Sequence, residues 1–287
     1  MPSSVIQWFP GHMAKTRRLI TECLPLVDIV IEVLDARIPK SSRNPELKKL
    51  IGDKPKLTVL SKAALADPEA SKRWLAAFAE QGETAIFYDC REHLNLNAIT
   101  PAVRKVLSEK IDRYEAKGMS GRRLKAMMVG IPNVGKSSLI NLLAGGGKAK
   151  VEDRPGVTLN KQWIPTSVGM DLLDMPGVLW PKFEDRTVGE NLAMTGAIKD
   201  DILDTEEIAV LLVGRLRKHA PDLLAARYKL GDMTAYEELT DYELFQTIGK
   251  KRGFLMAGGE INDERTAGML LDEFRAAKIG RITLEEP

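Results

Sequence analysis

Gly130-Ile131-Pro132-Asn133-Val134-Gly135-Lys136-Ser137 fits G-x-x-x-x-G-K-[ST], the pattern of a phosphate-binding loop. The residues before it, Leu124 to Val129, form a short apolar run that reads as a buried strand. Those after it, Ser138 to Ala144, read as a helix. A strand, a glycine loop and a helix N-terminus together suit an anion. Backbone N–H groups converge on it, the helix dipole favours it, and Lys136 adds a full charge. Asn133, Val134, Gly135, Lys136, Ser137 and Ser138 are therefore the candidate phosphate-binding residues. About half the chain precedes this loop, an unusual position for it.

A single such loop arises by chance, so its partners matter. Asp174-Met175-Pro176-Gly177 fits D-x-x-G at the end of an apolar strand. In a nucleotide switch the Asp holds Mg²⁺ through water and the Gly N–H senses the γ-phosphate, while Ser137 gives its hydroxyl to the same metal. Between them lies Arg154-Pro155-Gly156-Val157-Thr158, where Thr158 is the candidate switch threonine. The expected metal set is thus Ser137, Thr158 and Asp174. Taken singly, Asp174 is an ordinary turn former and Thr158 an ordinary loop residue. Their order, each on a suitable loop, favours the nucleotide site.

Working outward, apolar β-branched runs at 28–34, 56–60 and 84–88 alternate with helical stretches at 44–51, 67–78 and 97–114. Asp67-Pro68 has the form of a helix start, with Asp67 as cap. Two more strands are expected near 162–166 and 170–173. Such alternation predicts an α/β domain with a mainly parallel sheet. From about Thr187 strand patterns cease, and 206–217, 241–252 and 263–274 read as helices. The expected division is a nucleotide-binding domain over 1–185 and a helical C-terminal domain over 186–287.

The bulk numbers restrict the function classes. The 287 residues are 44% hydrophobic and 29% charged, values of a globular protein. Cys23 and Cys90 are the only cysteines, and neither has a partner at zinc-ligand spacing. Met1 to Pro10 has no secretion-signal pattern, and no apolar run is long enough to span a bilayer. A soluble cytoplasmic protein is expected. A net charge of +2 does not announce a polyanionic partner. Basic clusters at Lys15-Arg17-Arg18, Arg122-Arg123-Lys125 and Lys250-Lys251-Arg252 are each a solvated surface or together a shared RNA-binding feature.

The first half supplies the remaining parts of a nucleotide switch. A base-recognition loop has the form [NT]-K-x-D after a strand, and Ser61-Lys62-Ala63-Ala64 follows the second strand. Lys62 is in place to lie along the base. Ser61 stands for the usual Asn, and Ala64 stands where a carboxylate would accept from the guanine N1–H and 2-amino group. Its absence weakens the expected guanine selectivity; Asp67, three residues on, is a weak substitute. The second base loop reads Asp89-Cys90, with only its backbone N–H informative. The order is thus base loop, second base loop, phosphate loop, switch threonine, D-x-x-G, a circular permutation of the usual one.

That order resembles the circularly permuted GTPases, and most closely the bacterial ribosome biogenesis GTPase A family. Gln7 to Lys15, Leu34-Asp35-Ala36-Arg37-Ile38-Pro39 and Arg43-Asn44-Pro45 carry the resemblance. So do Arg252-Gly253-Phe254-Leu255, Gly258-Gly259, Asp272-Glu273-Phe274-Arg275 and Gly280-Arg281. The similarity covers almost the whole chain, and the base loop is its main departure. It implies a circularly permuted P-loop GTPase domain with a helical C-terminal domain. It further implies GTP and GDP as ligands, Mg²⁺ as cofactor, and assembly of the large ribosomal subunit as the destination.

Permutation carries the switch helix to the other end of the chain, at 13–25, so Trp8 to Met13 are expected near Gly177. Val178 follows Gly177 and has no side chain able to orient water, which makes His12 the candidate catalytic residue; its alternative is a structural cap of the Pro10-Gly11 turn. In related families an Asn at the place of Asn133 helps hold K⁺. The loop after Gly177 runs into the helical domain, so a γ-phosphate-driven movement there would reorient it. The helical domain and the basic N-terminal segment are expected to bind rRNA in the large subunit or its precursor, the free protein being monomeric. The alternatives are a nucleotide-binding module using GTP or ATP with little hydrolysis, and a small-molecule kinase. The kinase is disfavoured because no arginine-rich lid segment is present.

Overall fold

Six apolar runs pair into one sheet: β1 (Ile29–Asp35), β2 (Lys56–Ser61), β3 (Thr84–Phe87), β4 (Leu124–Gly130), β5 (Trp163–Pro165) and β6 (Met170–Asp174). The computed structural model describes residues 10–92, 94–145, 163–180, 183 and 185–287, with the backbone alone for 10–13. The sheet order is β3-β2-β1-β4-β6-β5. All neighbours run parallel except β5, which is antiparallel to β6. A parallel sheet is covered on both faces, and every residue of β1 is accordingly buried.

The period-two alternation of the strands decides which helices they meet. Ile29, Ile31, Val33, Leu57, Val59, Ala126 and Met128 lie in one core cluster with Ile99 and Val103 of α4 (Ile99–Val106) and Leu139, Ile140 and Leu143 of α6 (Lys136–Leu143). On the opposite face Val30, Met127, Val129 and Leu173 pack on Ile20 and Cys23 of α1 (Pro10–Cys23) and Leu47 and Ile51 of α2 (Pro45–Ile51). Leu34 and Leu60 meet Trp74 and Phe78 of α3 (Pro68–Glu80). Asp67 caps α3 as anticipated: its Oδ1 accepts from the N–H of Glu69 at 2.7 Å and of Ala70 at 3.0 Å.

The helix anticipated over 97–114 is divided into α4 and α5 (Ser108–Ala116). Leu107 sits between them at φ −101°, ψ 12°, outside the helical basin, with its side chain buried. Beyond residue 185 the chain is helical: α7 (Arg186–Met194), α8 (Thr205–His219), α9 (Pro221–Tyr228), α10 (Asp241–Lys251) and α11 (Asp263–Arg275). Neither α7 nor α9 was legible in advance. In α7 Gly189 to Met194 are all buried, polar Glu190 and Asn191 among them, so burial there does not follow the apolar residues alone. In α9 only Leu224 and Tyr228 are buried, too few to set a period. The helices bury Leu212, Leu216, Leu244, Phe245, Leu270 and Phe274 in the same cluster as Ile29 and Val33, so one core runs from sheet to helices.

After α11 the chain returns to the sheet. The N–H of Ile282 donates to Leu65 O at 3.2 Å and that of Leu284 to Arg37 O at 2.9 Å. The Glu285 carboxylate accepts from the N–H of Lys40 at 2.7 Å and from Asn191 Nδ2 at 3.0 Å.

Candidate functional site

Parallel pairing puts the C-terminal ends of five strands on one edge, where open α/β sheets bind ligands. Asp35 is level with Ser61, Val33 with Gly130, and Met128 with Asp174. The phosphate loop leaves β4 at this edge. Asn133 at φ 56° and Gly135 at φ 95° turn it into α6, whose first residues are Lys136 and Ser137. Left-handed backbone at Gly135 costs a glycine nothing and lets the loop close at the helix N-terminus.

Cation, carboxylate and hydroxyl converge here. Lys136 Nζ donates to Asp174 Oδ1 at 2.8 Å, and the lysine side chain is only 9% exposed. Ser137 follows on the same turn, half-buried, and Ser138 is exposed. The D-x-x-G turn lies against the phosphate loop: a Cβ at Gly177 would stand 2.9 Å from the N and Cα of Pro132. Val178 N–H donates to Gly130 O at 3.2 Å, and Asn44 Nδ2 donates to Val178 O at 3.2 Å. Asn44 also caps α2 through its Oδ1, so one side chain ties that helix to the turn. Thr158 and the His12 side chain lie outside the described residues.

The two segments expected to be base loops meet each other and the phosphate loop. Ser61 Oγ lies 2.5 Å from Val134 O and 2.8 Å from Leu34 O; its single proton serves one carbonyl at a time. Ser61 thus fills the tethering part of the missing Asn. Ala63 N–H donates to Tyr88 O at 3.2 Å and Ala64 N–H to Asp89 Oδ2 at 3.0 Å. Asp89 Oδ1 accepts from the N–H of Arg91 at 2.8 Å and of Glu92 at 3.2 Å. Both oxygens of Asp89 therefore hold loop backbone, and Asp67 is committed to α3. Cys90 is half-buried beside them.

Sequence reasoning assigned no role to Asp35 and Arg37. Asp35 receives Arg37 Nε at 2.9 Å, Arg37 Nη2 at 2.7 Å and Lys62 Nζ at 3.0 Å, all at the end of β1. Burial alone would raise the Asp35 carboxyl, but the Arg37 guanidinium and the Lys62 ammonium outweigh it and hold the group well below the usual carboxylate range. Burial lowers the Lys62 ammonium, with Asp35 opposing. The available signal was an acidic residue ending a largely apolar strand two positions before an arginine.

The end of α7 docks onto this edge. Its last carbonyls would lack partners within the helix. Arg275 takes those of Ala193 at 2.9 Å and Met194 at 3.1 Å. Arg37 Nη2 takes that of Thr195 at 3.3 Å and Asn133 Nδ2 that of Gly196 at 2.9 Å. The helical region therefore touches the phosphate loop through Asn133 and the base loop through Arg37 and Asp35.

The chain is similar to known proteins over almost all its length. Residues 125–235 match a family described as "50S ribosome-binding GTPase". Ribosome biogenesis GTPase A of Bacillus cereus is 50% identical over 283 residues, covering 99% of this chain and 94% of the relative. The protein of the same name from Bacillus pumilus is 48% identical, covering 98% and 99%. A crystal structure of GNP-bound YlqF from T. maritima superposes with a TM-score of 0.64 at 27% identity, covering 95% of this chain and 98% of that one.

Proposed function

Because the chain belongs to the ribosome biogenesis GTPase A family and is a GTP-hydrolysing enzyme with a role in ribosome biogenesis, we propose that it is a switch that binds precursors of the large ribosomal subunit when a γ-phosphate is in place. The observation that carries this is the cradle at the α6 N-terminus. Lys136 pairs with Asp174 at 2.8 Å, Ser137 lies beside it, and Gly177 is pressed on Pro132. Lys136 and the loop N–H groups of Asn133 to Ser138 hold the phosphates, and the Gly177 N–H faces the terminal one. The base lies on Ser61 to Ala64, along Lys62, with the Asp89-Cys90 loop beside it.

Ser137, Thr158 and Asp174 would offer hard oxygen donors to Mg²⁺, an ion that prefers them. When bound, Mg²⁺ neutralises charge developing between the β- and γ-oxygens. His12 orients the attacking water, Val178 having no group to do so. Asn133 helps to hold K⁺. Turnover at saturating GTP tests both: His12→Ala lowers kcat about tenfold or more without weakening GDP binding, and replacing KCl by NaCl lowers turnover. Unchanged rates remove the respective role.

Movement at Gly177 reaches the helices through Val178, Leu179 and Trp180, which are buried in the core shared with Leu192 and Leu212. The functional units are then 1–185, which reads the nucleotide, and 186–287, which with the basic N-terminal segment contacts rRNA. The free protein is monomeric. Among the described residues no helix is long and apolar enough to cross a membrane. Sedimentation through sucrose gradients with ribosomal subunits tests the switch. Co-sedimentation with large-subunit particles under a non-hydrolysable GTP analogue, weaker under GDP and steeply salt-dependent, is expected. Equal binding under both nucleotides would sink it.

A second reading applies to the base. Ala64 has no carboxylate, and those of Asp67 and Asp89 are held by backbone N–H groups. The preference for guanine over adenine is accordingly weaker than a complete base loop gives.

A further inference from the structure

Gly280-Arg281 has no part in the site described above, yet it lies against the base loop. Arg281 Nε donates to Ala66 O at 3.0 Å and its Nη2 to Ala63 O at 3.0 Å. The next residues continue along the same loop. Ile282 N–H donates to Leu65 O at 3.2 Å, and Thr283 Oγ1 accepts from Asp67 N–H at 3.1 Å. Ile279, Ile282 and Leu284 are buried and anchor the segment. The carbonyls of Ala63, Leu65 and Ala66 and the N–H of Asp67 therefore find partners more than two hundred residues away in sequence.

We propose that Arg281 is a positioning residue for base recognition, acting through the loop Lys62–Ala66. It rests on the assignment of Ser61 to Ala64 as the base loop. Lys62 stands at φ 56°, left-handed for a residue with a side chain. Such a conformation costs about 1–2 kcal/mol and persists only where its surroundings impose it. Within the loop the turn is closed by Leu65 N–H to Lys62 O at 2.9 Å and Ala66 N–H to Ala63 O at 3.3 Å, the second long. The planar fork of Arg281 spans the ends of that turn and fixes their separation, which a lysine's point charge does not. With Ala64 in place of a carboxylate, the shape of this backbone and the placement of Lys62 carry the discrimination. Arg281 thus does from outside the pocket part of what an acidic side chain would do inside it.

The test measures dissociation constants for GDP and ADP in the full-length protein, with Arg281→Ala, Arg281→Lys and Lys62→Ala beside the wild type. Phosphates are common to both ligands, so the GDP-to-ADP ratio isolates the base. Arg281→Ala is expected to weaken GDP about five- to tenfold, the net scale of one lost hydrogen bond, and to leave ADP nearly unchanged. KM for GTP rises and kcat stays within about twofold. Arg281→Lys keeps the charge and loses the fork, so it contracts the ratio to a smaller extent. It decides the matter if the alanine variant does not fold. An unchanged ratio in the folded arginine variants, with contraction in Lys62→Ala, overturns the role of Arg281 alone. An unchanged ratio in Lys62→Ala overturns the base-loop assignment and this proposal with it.

Discussion

Ala64 is the residue at which chemistry and family pattern part. Its N–H is spent on Asp89, and its methyl group can accept nothing from a guanine edge. Placing a carboxylate there restores two acceptors on a loop whose backbone is already held. Ala64→Asp should raise the GTP-over-ATP preference about tenfold or more, because a site built to pair with polar hydrogens rejects a base lacking them. Competition binding with the two nucleotides measures this, and an unchanged preference would show that the base does not lie on this loop. The neighbouring Ser61 teaches the complementary lesson. Its hydroxyl reaches the Val134 carbonyl, so the tether to the phosphate loop is made without an amide.

Among the elements, the turn from β6 into Val178 is held on both sides. Its N-terminal side is held by Met175 N–H on Met128 O at 3.2 Å, and its far side by Val178 on Gly130 and by Asn44. Gly177 between them has no room for a side chain over Pro132. Gly177→Ala would push the turn away from the phosphate loop at a cost of about 1–3 kcal/mol, the usual scale of overpacking. GDP affinity should change little, since the proposed function puts its phosphates on α6 and Lys136. Single-turnover hydrolysis should fall about tenfold or more, since the terminal phosphate would lose the N–H partner proposed for it. Equal hydrolysis in the variant would remove Gly177 from the catalytic step. The contrast between α3 and α7 shows what element prediction depends on. Asp67-Pro68 announces α3 through local capping chemistry. Helix α7 also starts at a capping carboxylate, Asp185, whose Oδ1 accepts from Thr187 N–H at 2.8 Å, but no proline follows it, the helix is buried on nearly all sides, and its end rests on side chains from three distant segments.

Across the molecule, Asp35, Arg37 and Lys62 form a buried charged knot that joins the end of β1 to the base loop and, through Thr195, to α7. Side-chain exposures of 2–3% for Arg37 and Asp35 leave little water to compensate a lost partner. Asp35→Asn should destabilise the fold by about 3–5 kcal/mol near neutral pH, the cost of stranding a buried charge. Because the carboxyl is held below its unfolded value of 3.8, the unfolded chain takes up the proton first. The stability Asp35 contributes is complete above that value and is lost as pH falls below it, towards the folded-state value. Urea midpoints followed from pH 6 to pH 2 should show this acid limb in the wild type and a shallower one in Asp35→Asn. Parallel curves would mean that the knot is already broken or neutral.

The phosphate loop, the D-x-x-G turn, the alternating α/β plan and the permuted motif order were legible because each rests on contiguous residues. A glycine, a capping carboxylate or a period of two acts on its own neighbours, and spacing records it. The partners of Lys62, Asn133 and the base-loop carbonyls were not legible. They come from Asp35, Gly196 and Arg281, which meet the site only once the sheet has formed and the helices have packed on it. Hydrogen bonds between distant segments leave no periodicity along the chain. Burial creates the demand that these carbonyls and charges be satisfied, and only the packed arrangement of sheet and helices selects which side chains meet it.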